Sequence, residues 1–288
     1  MDIDDINKIG VVGAGTMGQG IAQTVAQGGF EVWLRDIESE LLEEAIESID
    51  DSLKRLVKKD KISEGQKEKI LDNINTTLEL EELSECDVII EAVVEDVEIK
   101  KDVFSDLDKI CPPETILASN TSTIPITELA STTERPEKFI GMHFFNPVPL
   151  MDLVEVIRGL ETDEETKDLI FSLTDRIGKE PVEVKDSPGF AVNRMLIPMI
   201  NEAVFSLHER VASKEDIDKV MKMGANHPMG PLELADMIGL DIVLEIMKVL
   251  HEEMGDPKYR PCPLLKKMVR AGKLGKKSGE GFYEYNSG

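Results

Sequence analysis

The sequence predicts an α/β fold: a doubly wound, mostly parallel sheet followed by a smaller helical domain. Three observations lead there. Short apolar runs alternate with stretches of helical period through the first two thirds of the chain. A glycine-rich turn joins the first apolar run to the first helical stretch. Beyond Ser187-Pro188-Gly189 the strand signal nearly vanishes and helical spacing takes over.

Taken in order, Lys8–Val12 is a short apolar run and reads as a buried strand. Met17, Ile21 and Val25 then mark one face of a helix ending near Gly28, and Glu31–Asp36 forms a second strand. Together they fill about 30 residues, the size of a βαβ opening. Residues 38–72 are charge-rich, with Leu41, Leu42, Ala45, Ile49, Leu53, Leu56 and Val57 at helical spacing. They predict a long helix, a break near Lys61 and a second helix to about Leu71. Asp87–Val93 is the clearest buried strand, and a helix follows over 97–110. Further strands are expected at 115–119, 139–144, 153–157 and 181–184, with a helix from about Asp163 to Gly178 between the last two. After residue 187 helices dominate, with an extended tail predicted at Phe282–Tyr285. The domains are therefore 1–187, a Rossmann-type domain with a helical insertion at about 38–72, and 188–288, an all-helical domain.

The chain has 288 residues, room for about two domains, and 41% of them are hydrophobic. No apolar stretch approaches the ~20 residues of a membrane-spanning helix. The N-terminal segment is acidic and lacks the basic and apolar regions of a secretory signal or a presequence, so the cytoplasm is the expected compartment. Cys86, Cys111 and Cys262 are odd in number and far apart, which favours neither a disulfide framework nor a zinc site. No His/Asp/Glu grouping has metal-ligand spacing, and no metal is expected. A net charge of −24 opposes nucleic acid and anionic membranes. One basic cluster, Lys54, Arg55, Lys58, Lys59 and Lys61, could still serve an anionic small molecule, although a solvated helix face reads the same way.

Gly13-Ala14-Gly15-Thr16-Met17-Gly18 fits the pattern G-x-G-x-x-G. Its context makes it specific: a strand precedes it, a helix follows, and Asp36 lies 18 positions beyond Gly18 at the end of the second strand. Gly13 permits the tight turn, Gly15 lets a pyrophosphate reach the backbone, and Gly18 lets helix and strand pack closely. The helix N-terminus offers free N–H groups to phosphates. A carboxylate at Asp36 can accept both ribose hydroxyls and would repel a 2′-phosphate, which favours NAD over NADP. Arg35 beside it could accept that phosphate instead.

In Met142–Ile157 two apolar runs flank a turn rich in Pro and Asn. Centring the turn on Pro149 sets His143 opposite Glu155, on one side of a hairpin. A glutamate there fixes the imidazole tautomer and stabilises the imidazolium, as a general base requires. A purely structural His–Glu pair fits the same pattern, and the residues alone do not separate the two.

The chain resembles the (S)-3-hydroxyacyl-CoA dehydrogenases, and most of all their stand-alone bacterial type acting on 3-hydroxybutyryl-CoA. The likeness runs from Lys8 to Tyr285 through 13–22 (GAGTMGQGIA), 118–123 (ASNTST), 141–157, 186–194 (DSPGFAVNR), 226–236 (NHPMGPLELAD) and 275–285 (GKKSGEGFYEY). It implies NAD as cofactor, an acyl-CoA substrate, a dimer formed through the helical domain, and an active site in the cleft between domains. A place in fatty-acid or butyrate metabolism follows. His143 is implied as catalytic base, Glu155 as its partner, Ser122 as a hydroxyl touching both substrate and nicotinamide, and Asn193 as the amide holding the substrate carbonyl. Glu95, Lys100, Asn146 and Lys277 are implied as further cofactor contacts, and Ser52 and Lys59 as CoA contacts. The reaction expected is oxidation of the 3-hydroxyl to a ketone, or its reverse.

Two rivals compete. A same-framework dehydrogenase of a small hydroxy or sugar acid would need no CoA site. A non-catalytic nucleotide-binding scaffold would need no His143–Glu155 pair. His208 and His251 read as surface or packing residues and His227 as a turn residue. Met195, Met199, Met221, Met223, Met237, Met247 and Met254 suggest an adaptable helical interface, with ordinary core as the alternative.

Overall fold

The computed structural model describes residues 2–285. The chain divides into two compact units, Met1–Asp186 and Ser187–Gly288. The first is built on β1 (Lys8–Val12), α1 (Thr16–Gln27), β2 (Glu31–Arg35), α2 (Ser39–Lys58), α3 (Glu64–Asp72) and β3 (Ile74–Thr77). It continues with β4 (Val88–Glu91), α4 (Val97–Ile110), β5 (Ile116–Ser119), α5 (Ile126–Ala130), β6 (Phe139–Phe144), β7 (Leu153–Arg158), α6 (Glu164–Arg176) and β8 (Glu180–Lys185). The eight strands form one sheet in the order β3-β2-β1-β4-β5-β6-β7-β8. Every neighbouring pair is parallel except β6 and β7. The chain leaves β1 in one direction for β2 and β3 and returns to its other side at β4, so a topological switch point lies between β1 and β4.

Burial explains which strands could be read in advance. The central strands β4, β5 and β6 are buried at every residue, as parallel strands covered on both faces must be. The edge strands carry no such run. Ile74-Asn75-Thr76-Thr77 is polar at three of its four positions, and this strand was not expected from the sequence. At the opposite edge Glu180, Glu183 and Lys185 are exposed, which blunts that edge against further pairing.

The helical insertion follows its pattern. Leu42, Ala45, Ile49 and Leu53 form the buried stripe of α2. The break falls at Asp60, whose φ of +53° lies in the left-handed region. Ser63 and Gln66 then open α3 with a reciprocal capping box.

The second unit contains α7 (Val192–His208), α8 (Lys214–Gly224), α9 (Pro231–Ile238), α10 (Leu240–Met254) and α11 (Pro263–Arg270) around its own core. The expected extended tail is instead a pair of isolated bridges, Gly275 with Glu280 and Glu280 with Glu284. Buried Asp236 holds that tail, accepting the N–H groups of Phe282 and Tyr283 at 2.9 and 2.8 Å. The methionines do not act as one set. Met247 is fully buried core, whereas Met195, Met223 and Met237 are exposed. No helix among the described residues is long and apolar enough to cross a membrane.

Candidate active site at the carboxyl edge of the sheet

The glycine turn has the shape a dinucleotide needs. Gly13 has φ +103°, and a Cβ there would lie 2.6 Å from the Ala92 carbonyl oxygen. A Cβ on Gly18 would fall 1.7 Å from the Gly13 oxygen, so helix and turn could not approach. Gly15 is different: nothing lies within 4 Å of its added Cβ, and as N-cap of α1 it brings no side chain to the first-turn N–H groups. A Cβ there would fill the space a phosphate uses, so the residues fit NAD. Beyond β2, Asp36 accepts the Ala14 N–H at 2.6 Å and the Ile37 N–H at 2.7 Å. This carboxylate therefore shapes the turn. Arg35 donates its Nε–H to the Leu78 carbonyl at 3.2 Å.

The hairpin of β6 and β7 has the expected register, with His143 paired directly to Glu155. Their side chains meet at 2.8 Å between Nδ1 and Oε2, at 5% and 1% exposure. A carboxylate at Nδ1 favours the tautomer with its proton there, which in a neutral ring puts the lone pair on Nε2. The intervening turn contains the cis peptide Asn146–Pro147, and Asn146 itself is exposed. Buried Lys179 donates to the carbonyls of Val148 and Met151 at 2.7 and 2.8 Å, tying the turn down. Its burial lowers the lysine pKa, with Asp152 opposing.

The loop after β5 carries Ser122, half-buried. Glu95 organises it. One carboxylate oxygen accepts from the Thr121 hydroxyl at 2.7 Å, from the N–H groups of Ser122 and Thr123 at 2.8 and 3.0 Å, and from the Thr123 hydroxyl at 3.0 Å. Desolvation by its neighbours pushes the Glu95 carboxyl up, but Lys100 and these donors outweigh it and leave it below its ordinary value. Asn120 joins the loop to the hairpin: its Oδ1 accepts the Phe144 N–H at 2.9 Å, one residue past His143.

Lys100, expected as a direct cofactor contact, is 1% exposed. Its ammonium donates to Glu91 at 2.6 Å and to the Val93 carbonyl at 3.4 Å, and stands 3.3 Å from Glu95. The position lies on the buried stripe with Phe104 and Leu107, so the partners of the ammonium here are within the protein.

Ser52 and Lys59 lie seven residues apart at the end of α2, about two turns along one face. The basic cluster around them is smaller than its composition suggests. Lys54 is paired with Asp50 and Asp51 at 2.6 and 3.0 Å. Arg55, Lys58, Lys59 and Lys61 make no ion pair among the described residues. In the second unit, Asn193 is the second residue of α7 and is buried, and Lys277 pairs with Asp241 at 2.6 Å. His208 and His251 are exposed.

Two residues were missed. Asn120 gave no sign beyond being polar in a turn. Glu91 did: it is an acid closing the apolar run Val88-Ile89-Ile90, where charge is rare unless paired.

The family model "3-hydroxyacyl-CoA dehydrogenase, NAD binding domain" matches residues 8–187, and its C-terminal-domain counterpart matches 189–285. A 3-hydroxybutyryl-CoA dehydrogenase of Clostridioides difficile is 55% identical over 279 residues, 97% of this chain and 99% of that one. A probable 3-hydroxybutyryl-CoA dehydrogenase of Bacillus subtilis is 54% identical over 281 residues, 98% of each. Among solved structures, the (S)-3-hydroxybutyryl-CoA dehydrogenase PaaH1 of Ralstonia eutropha superimposes with a TM-score of 0.95 at 49% identity, covering 98% of this chain and 100% of that one.

Proposed function

The chain belongs to the 3-hydroxyacyl-CoA dehydrogenase family, NAD-dependent oxidoreductases acting on a CH–OH group, and from that premise we propose that it interconverts (S)-3-hydroxybutyryl-CoA and acetoacetyl-CoA with His143 as acid and base. The observation that carries this reading is the buried His143–Glu155 pair, held in the same sheet as the glycine turn.

NAD, when bound, supplies the acceptor for the C3 hydride, or its donor in reverse. The protein's own residues manage the proton. In oxidation, Nε2 of His143 takes the proton of the 3-hydroxyl as the C3–H bond breaks, and the C–O bond becomes a ketone. In reduction the imidazolium returns that proton to the oxygen. Glu155 stabilises the imidazolium in between. Ser122 contacts the substrate oxygen and the nicotinamide, and Asn193 holds the substrate carbonyl. Gly13, Ala14, Gly15, Thr16, Met17 and Gly18 with Asp36 bind the dinucleotide, and Glu95, Asn146 and Lys277 contact it further. Lys100 serves through Glu95. Ser52 and Lys59 bind the CoA portion, supported by Arg55, Lys58 and Lys61.

The proposed assembly is a homodimer through the second unit, which exposes Met195, Val220, Met223 and Met237. The proposed compartment is the cytoplasm, with neither nucleic acid nor membrane as partner for so acidic a chain.

The test is NADH oxidation with acetoacetyl-CoA, followed at the nicotinamide absorbance band. Wild-type protein should turn over, and His143→Gln should lose turnover while still binding NADH. Near-wild-type turnover by His143→Gln would sink the assignment. Indifference of the acyl-CoA KM to charge reversal at Lys58 and Lys59 would instead favour a substrate without CoA.

A further inference from the structure

Glu91 is the last residue of β4, in register with Val12 on one side and Ser119 on the other. It therefore stands between the strand that feeds the glycine turn and the strand that feeds the Ser122 loop. Its side chain is 0% exposed. It accepts the Lys100 ammonium at 2.6 Å, the Val93 N–H at 2.7 Å and the Ser119 hydroxyl at 2.7 Å. Its backbone carbonyl accepts the Asn120 N–H at 2.8 Å.

Stability gives no reason for this pair. A buried ion pair seldom outperforms apolar side chains of the same volume. Geometry gives one. Lys100 lies between two carboxylates, closer to Glu91 at 2.6 Å than to Glu95 at 3.3 Å. With Glu91 holding the ammonium, one oxygen of Glu95 faces Lys100 and the other is left to gather the donors of residues 121–123. Without Glu91 the ammonium loses its nearer anchor, and Glu95 loses the fixed cation that holds its second oxygen.

We propose that Glu91 is a positioning residue for the dehydrogenase reaction: it anchors Lys100, and through Lys100 and Glu95 it sets the backbone of Thr121–Thr123 that presents Ser122. This rests on the role given to Ser122 above. Glu91 touches neither substrate nor cofactor; its effect is carried by the placement of a hydroxyl. Misplacing a reacting group by about 1 Å can cost on the order of 100-fold.

The experiment uses full-length Glu91→Gln, Ser122→Ala, their combination, and the paired variant Glu91→Met with Lys100→Met. Each is assayed for kcat and KM with acetoacetyl-CoA and NADH, and for its urea unfolding midpoint. Glu91→Gln should lower kcat/KM by about 10- to 100-fold. Added to Ser122→Ala, it should cost little more, because both act through one hydroxyl. The paired methionine variant should regain the wild-type midpoint while its turnover stays low. Recovery of turnover together with the midpoint would show the pair to be structural only and overturn the proposal, as would fully multiplicative effects of Glu91→Gln and Ser122→Ala. If Ser122→Ala costs turnover and Glu91→Gln does not, the proposal fails and the reading of the site stands. If Ser122→Ala costs nothing, both fall.

Discussion

Two buried acid–base pairs are each anchored on a strand of one sheet, and the uses proposed for them differ. Glu155 meets His143 across the antiparallel hairpin, and Glu91 meets Lys100 between β4 and α4. Both carboxylates are at most 1% exposed. What differs is the base. An imidazole exchanges its proton near neutral pH, so its carboxylate can steady a charge that comes and goes. An ammonium keeps its proton through that range, so its carboxylate can only hold a position. Burial alone does not tell which carboxylate serves chemistry; the partner does.

The sharpest way to break this contrast is His143→Gln. It should lower kcat by about 10²- to 10⁴-fold, the usual worth of a general acid–base group, with NADH affinity changed by no more than a few-fold. Steady-state kinetics beside NADH fluorescence titration reads both. Lys100→Met attacks the other pair and should cost stability as well as turnover. It leaves Glu91 buried without its cation and should cost about 3–5 kcal/mol of stability, read as a lower urea midpoint. An unchanged midpoint would mean that Glu91 is already protonated, a state its burial favours. Glu155→Gln keeps the shape and removes the charge, and should lower kcat by about 10- to 100-fold while leaving the midpoint close to wild type. If it unfolded the protein as readily as Lys100→Met, the two pairs would not differ in kind.

The smallest effect is in acid. Glu95 is depressed below its ordinary value of about 4.3, because Lys100 and the loop donors outweigh its desolvation. A depressed carboxyl contributes stability above its unfolded value and loses it as pH falls through the lower folded value. Glu95→Gln should therefore flatten the dependence of the urea midpoint on pH below about 4.3. A slope equal to wild type would remove Glu95 from the network.

Much of this site could be read before the structure. The hairpin register was legible because a Pro-rich turn between two apolar runs leaves few ways to pair them. The glycine turn was legible because each glycine answers a specific steric demand. The strand Ile74–Thr77 was not, since an edge strand needs no apolar run. The burial of Lys100 was not legible: helical spacing places it with Phe104 and Leu107, but lysine is seldom buried. The grip of Asp36 on the Ala14 N–H had no signal at all, being a contact between residues 22 apart.

His143 and Glu155 are 12 residues apart, and Glu91 and Lys100 nine. Each pair is thus written within a single short stretch of chain, and closing so small a loop costs little entropy. A recombination event that carries such a stretch whole transplants a finished acid–base couple into a new background, while a crossover inside it leaves both parents' offspring with half of one.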